Sequence, residues 1–164
     1  MEWLQDVESI AKVVGAYVLA MPVGYARERE AHSVGVRTFP VVAMASCGYV
    51  LLGAGFGEHT PDMTSRIIQG VVAGIGFVGA GAILKSENHV HGTATAGSIW
   101  NIGAVGAAVA LGHYPLAIVL AFLNFIALRY LLPVKHLIDS GPETGRASIA
   151  KPGHDDSGRT SGQQ

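Results

Sequence analysis

Residues Ile67 to Leu84 read IIQGVVAGIGFVGAGAIL, an uncharged apolar run with five glycines, bounded by Arg66 and Lys85. A helix rises ~1.5 Å per residue, so a run of this length covers roughly 27 Å, close to the hydrocarbon thickness of a bilayer. The spacing therefore predicts a transmembrane helix. At ~100° per residue, Arg66, Gly70, Gly74, Phe77, Gly81 and Lys85 fall within about 100° of one another, which makes one face a glycine groove with a cation at each end. In lipid, helices have no hydrophobic reason to associate, and small-residue faces let backbones come close enough for dispersion contacts. Gly70, Gly74, Gly76, Gly79 and Gly81 are accordingly candidate helix-packing positions.

Gly74-Ile75-Gly76-Phe77-Val78-Gly79 matches the G-x-G-x-x-G dinucleotide pattern. The context excludes that reading, because the glycines lie inside an apolar span with no preceding strand and no acidic residue about twenty positions on.

Composition agrees with membrane residence: of 164 residues 49% are hydrophobic and only 14% charged. A net charge of −1, without a basic stripe, argues against a nucleic-acid partner. The single cysteine, Cys47, excludes an internal disulfide and sits in an apolar stretch, as expected for core packing. The acidic start, MEWLQDVESIAK, lacks the basic region of a signal peptide, so the first apolar segment is expected to be retained.

Four further apolar stretches accompany the glycine run. The first, from about Ile10 to Val23, is expected to be a short or tilted span closed by Pro22, with Trp3, Leu4 and Val7 resting at the interface ahead of it. The others run from Phe39 to Phe56, Gly97 to Leu111 and Pro115 to Leu132. Arg27, Arg29, Arg37, Lys85, Arg129 and Lys135 fall in or beside alternate loops, which predicts an N-out, C-in orientation. The expected fold is an all-α polytopic membrane bundle of about five helices over residues 1–138. Residues 139–164, rich in Gly, Ser, Pro and Asp, are expected to form a disordered cytoplasmic tail.

Several polar residues invite chemical readings. The loop around Arg27, Glu28, Arg29 and Arg37 fits positive-inside anchoring, and its arginine forks could also dock carboxylates or lipid phosphates. Asp62 and Arg66, four apart at the start of the glycine span, form a helix-start pair or a polar mouth to the groove. His89 and His91, with Glu87, lack the spacing of a structural zinc site, and magnesium prefers oxygen ligands, so no metal is assigned. Asn101, Asn124, Gln69, Thr95 and Ser98 suit interhelical hydrogen bonds. No span holds an Asp, Glu or His of the kind a proton-coupled transporter needs. Phosphate-loop, Ser-His-Asp and zinc motifs are lacking, so no catalytic residue or cofactor is assigned and no enzyme is expected.

Four blocks of sequence carry a family likeness. Gly24-x-x-Arg27-Glu28, Gly35-Val36-Arg37-Thr38, Arg66 followed by Val71 to Lys85, and Gly92-x-x-Thr95-Ala96-x-Ser98-Ile99-Trp100 resemble the bacterial MgtC/SapB membrane proteins over roughly residues 10 to 130. The resemblance implies a non-enzymatic inner-membrane protein that supports growth under magnesium limitation and survival inside host phagocytes, a virulence trait. It implies the lipid bilayer and a membrane protein such as the ATP synthase as partners, and it allows a homo-oligomer. It also points to Arg27, Glu28, Arg37, Thr38, Asp62, Arg66, Lys85, Thr95, Trp100 and Asn101 as polar anchors. The chain departs from the family where it has Ala26 for Glu, His91 for Arg, and Asp62 four rather than three residues before Arg66. The rival readings are a small oligomeric cation transporter or channel, and a purely structural membrane subunit.

Overall fold

In the computed structural model, residues 2–31, 35–54, 61–86 and 89–131 are described. They form an all-α bundle of five helices with one small hairpin. The helices are α1 (Glu2–Ala31), α2 (Thr38–Ala54), α3 (Pro61–Gly81), α4 (Thr93–Ala110) and α5 (Tyr114–Ile126), and a π-helical turn (Ala127–Leu131) continues α5. Between α3 and α4, β1 (Leu84–Ser86) pairs antiparallel with β2 (His89–His91). Helix α4 is central and packs against all four others.

The first helix corrects two expectations. Instead of an interfacial segment followed by a short span ending at Pro22, α1 runs unbroken for 30 residues with Pro22 inside it. Proline removes its own N–H from the ladder and its ring crowds the carbonyl four residues earlier, but helices in apolar surroundings tolerate this where neighbouring groups satisfy the freed backbone. Arg27, Glu28 and Arg29 therefore stand on a helix rather than in a loop. Across a short connection, the N–H of Phe39 donates to the carbonyl of Gly35 at 3.1 Å and starts α2. Pro40 lies in its first turn, where a missing N–H costs little.

Helix α3 begins at Pro61 with Asp62 in its first turn, which suits a helix N-terminus. It stops at Gly81, three residues short of the predicted end. The N–H groups of Ala82 and Ile83 turn back to the carbonyls of Gly79 and Ala80, and the chain enters the hairpin. Lys85 consequently lies in β1 opposite Val90, not on the helical face of Gly74 and Gly81. The segment read as a loop with His89 and His91 is this hairpin, in which Ser86 pairs with His89 and Leu84 with His91. Gly92 then turns the chain into α4 at φ +87°, and a Cβ there would collide with the carbonyl of Ala82.

The turn into α5 is short. His113 N–H donates to Ala108 at 2.9 Å and Gly112 N–H to Val109 at 3.1 Å, with Gly112 at φ +76°. These two bonds form a Schellman motif, which satisfies the last carbonyls of α4 and reverses the chain within two residues. Pro115 follows in the first turn of α5.

The interior is built largely of small residues. Ala16, Ala20, Ala43, Ala117 and Ala121 are buried, while Phe77, Trp3, Leu52 and Phe122 face outward. Such an inside-out size distribution suits lipid, because close approach between helices depends on small side chains and the surrounding solvent accepts large apolar ones. Two helical segments, Trp3–Arg29 and Pro61–Gly81, are long and apolar enough to cross a membrane; Thr38–Ala54 and Tyr114–Tyr130 are apolar but shorter. Cys47 is fully buried in this core. Residues 139–164, and with them the expected tail, lie outside the described residues.

Candidate helix-docking face and its polar ends

The five glycines of α3 divide into two groups. Gly79 is buried against α4, where a Cβ would lie 3.3 Å from the carbonyl oxygen of Ala96. Gly70, Gly74, Gly76 and Gly81 have no neighbouring atom within 4 Å of the Cβ position. Their backbone is open to the outside, and Phe77 beside them is 84% exposed. Gly70 and Gly74 also line a groove of about 780 Å³ between α2 and α3, walled by Val42, Ala45, Tyr49, Leu52, Ile67 and Val78. Nearly the whole groove is apolar, so its chemistry suits a packed helix or acyl chain rather than a charged ligand.

Packing inside the bundle depends on other glycines. A Cβ on Gly106 of α4 would strike the carbonyl of Ala43 in α2, and one on Gly103 would strike the side chain of Ile75 in α3. The sequence reading passed over these two, although the small-residue run Gly103-Ala104-Val105-Gly106-Ala107-Ala108 carries the same signal as α3.

The end of the bundle that holds the α1 C-terminus and the α2 N-terminus is tied by Gly24, Gly35 and Glu28. Gly24 and Gly35 meet backbone to backbone, a Cβ on Gly24 lying 2.8 Å from the carbonyl oxygen of Gly35. One turn along α1, the Glu28 carboxylate accepts a 2.8 Å hydrogen bond from the N–H of Val36. That N–H is one of the donors a helix start leaves unsatisfied, so Glu28 serves as a cap from a neighbouring helix. Arg27 is half-buried, and its Nε has no hydrogen-bond partner among the described residues. Arg37 is exposed in the turn before α2, Thr38 opens α2 half-buried, and Ala26 is buried.

At the opposite end, Asp62 and Arg66 pair on α3 at 3.7 Å with both side chains at least 80% exposed. Within the bundle, Ser98 Oγ donates to Asn124 Oδ1 at 2.8 Å, and Asn124 Nδ2 donates back to the Ser98 carbonyl at 3.3 Å, joining α4 to α5 as interhelical bonds of the expected kind. Thr95 Oγ1 and Asn101 Oδ1 are buried without a partner among the described residues. Trp100 is exposed and lines an outer cleft with Ile68, Val71 and Val72. Gln69 is exposed, and Lys12 pairs with Glu8 one turn earlier on α1 at 2.8 Å. Among the described residues, no group of three His, Cys, Asp or Glu side chains could hold a metal.

Of the predicted anchors, Arg27, Glu28, Arg37, Thr38, Asp62 and Arg66 thus stand near helix ends, whereas Trp100 and Asn101 lie midway along α4. Residues 13–137, which contain nearly all of the bundle, match the MgtC family. The chain belongs to the MgtC family. It is similar to SrpB of Synechococcus elongatus, 34% identical over 73% of this chain and 69% of SrpB. SapB of Bacillus subtilis is 28% identical over 80% of this chain and 60% of its own length. YhiD of Escherichia coli, which carries a provisional name as a magnesium transporter, is 30% identical over 74% of this chain and 59% of its own length. The chain therefore spans about three fifths of the length of SapB and YhiD. No solved structure matches it. As a member of the MgtC family it is a membrane protein, and the family match over residues 13–137 contains all four of the sequence blocks that carried the likeness.

Proposed function

We propose that this chain is a non-enzymatic, multi-pass protein of the bacterial inner membrane that supports adaptation to magnesium limitation or intracellular stress. It acts by docking the open face of α3 against a helix of a membrane partner. In this reading all five helices span, N-terminus outside and C-terminus inside. The antiparallel order supports it by placing Arg27, Arg29, Arg37, Lys85 and Arg129 toward one end of the bundle.

The observation that carries the docking role is the open backbone of Gly70 and Gly74 beside the apolar groove. Within its own bundle α3 uses Ile75 and Gly79, so the other glycines leave a flat surface that a second helix can approach closely. A photo-crosslinking residue at Gly70 is expected to give a discrete protein adduct in membranes, whereas one at the outward-facing Leu123 of α5 gives none. The same adduct from both positions, or no protein adduct from Gly70, would remove the proposal.

The name of YhiD favours a second reading, a small oligomeric cation transporter or channel. Purified protein in liposomes decides between the two: selective cation flux lost on changing Asp62 or Arg66 would establish the transporter and displace the docking role.

A further inference from the structure

The last turns of α1 and of the α5 extension lie side by side, and the space between them is a cavity of about 340 Å³. Tyr25, Ala26 and Arg29 of α1 form one wall, and Phe125 of α5 with Arg129 of the π-helical turn forms the other. Two arginines from separate elements therefore line one small space. Neither has a carboxylate partner among the described residues, where the ion pairs are Glu8–Lys12 and Asp62–Arg66. Glu28, next to Arg29 in sequence, is engaged by the N–H of Val36. Each guanidinium instead lies near a tyrosine of its own helix, Arg29 at 5.6 Å from the Tyr25 ring centre and Arg129 at 5.7 Å from that of Tyr130.

Like charges lining one cavity repel, and an anion held between them turns that repulsion into attraction. Arginine presents a planar fork of donors that matches phosphate oxygens, and two forks from opposite walls suit a phosphate group held between them. The π-helical turn is a second pointer: it is rare, it shifts the register of Arg129 relative to a continued α-helix, and such turns concentrate at functional sites. The aromatic and methyl surfaces of Tyr25, Ala26 and Phe125 make the remaining wall apolar. In the spanning arrangement proposed above, on which this inference rests, the cavity, at the ends of two apolar helices, lies where headgroups meet hydrocarbon, a depth suited to aromatic rings with basic side chains.

We propose that this cavity binds the phosphate of an anionic phospholipid, with Arg29 and Arg129 clamping the headgroup and Phe125 directing the acyl chains along the outside of α5. The bound lipid bridges the two helix ends, between which no ion pair occurs among the described residues.

Native mass spectrometry of the full chain, exchanged from detergent into mixed micelles of phosphatidylglycerol or phosphatidylcholine, tests this. Wild type is expected to retain phosphatidylglycerol roughly tenfold better than phosphatidylcholine, and the R29Q/R129Q double variant to lose that preference. Both arginines are exposed, so the variant should remain monodisperse with an unchanged melting temperature. Lys151→Gln with Arg159→Gln, which removes the same charge from outside the described residues, should keep the preference. Equal retention of the two lipids by wild type, or an undiminished preference in R29Q/R129Q, would overturn the proposal. Displacement of the lipid by millimolar inorganic phosphate, with equal protection by phosphate alone, would make free phosphate the ligand and overturn the lipid assignment.

Discussion

The Glu28 carboxylate accepts a hydrogen bond from the backbone N–H of Val36 at 2.8 Å, so a side chain of α1 caps the start of α2 across a connection that Gly24 and Gly35 hold in backbone contact. Capping bonds contribute about 1 kcal/mol, and this one is exposed, so Glu28→Ala should lower stability by roughly that amount or less. Glu28→Gln retains an acceptor and should lose less. Gly35→Ala should cost more, about 1–3 kcal/mol, because backbone rather than a flexible side chain stands in the way. Thermal melts in one detergent would rank the three.

Gly106→Val and Gly103→Leu should each destabilise the bundle by about 2 kcal/mol or more, since the added atoms meet the Ala43 carbonyl or displace Ile75. Gly70→Ala should leave stability the same or slightly raised, because Ala is the better helix former and the site is open. The same melts distinguish packing glycines from open ones; a Gly106→Val variant as stable as wild type would contradict the placement of α4 against α2.

Ser98 and Asn124 form the buried polar link between α4 and α5. Removing either partner leaves the other unsatisfied in an apolar interior, so Ser98→Ala and Asn124→Ala should each cost about 1 kcal/mol. Their double-mutant coupling should be about 0.6 kcal/mol, the usual size for hydrogen bonds between membrane helices. A coupling near zero would mean that the two residues do not meet.

Asp62 and Arg66 are highly exposed and 3.7 Å apart. Such pairs contribute at most about 1 kcal/mol, so Asp62→Asn should leave the melt almost unchanged. A loss of low-magnesium growth in that stable variant, with no selective cation flux from the wild-type protein in liposomes, would assign Asp62 to the docking mouth; full growth would reduce the pair to a helix-start ornament.

Sequence pattern carried the architecture well where apolar runs end in turn residues. Gly112, His113 and Pro115 mark the turn between α4 and α5, and Pro61 with Asp62 marks the start of α3. It misplaced the end of the first helix, because Pro22 weakens a helix locally while the neighbouring turns and packing on α2 and α4 hold it. It also extended α3 through Leu84, since hydropathy cannot tell the last turn of a helix from an apolar strand. For the site, the glycine count pointed to α3, yet α3 meets α4 through Ile75 and Gly79. Which glycines lie inside depends on how α4 is surrounded, a tertiary fact with no signature in α3 alone. The capping role of Glu28 was similarly hidden, because its partner is a backbone N–H eight residues away.

The docking face is tested most directly by Gly74→Leu, read in two ways on one strain. Because nothing lies within 4 Å of a Cβ at Gly74, the variant should fold and melt like wild type. It should nevertheless lose both the protein crosslink from α3 and the ability to sustain growth at low magnesium. A Gly74→Leu protein that is stable, crosslinks as before and supports full growth would contradict the account.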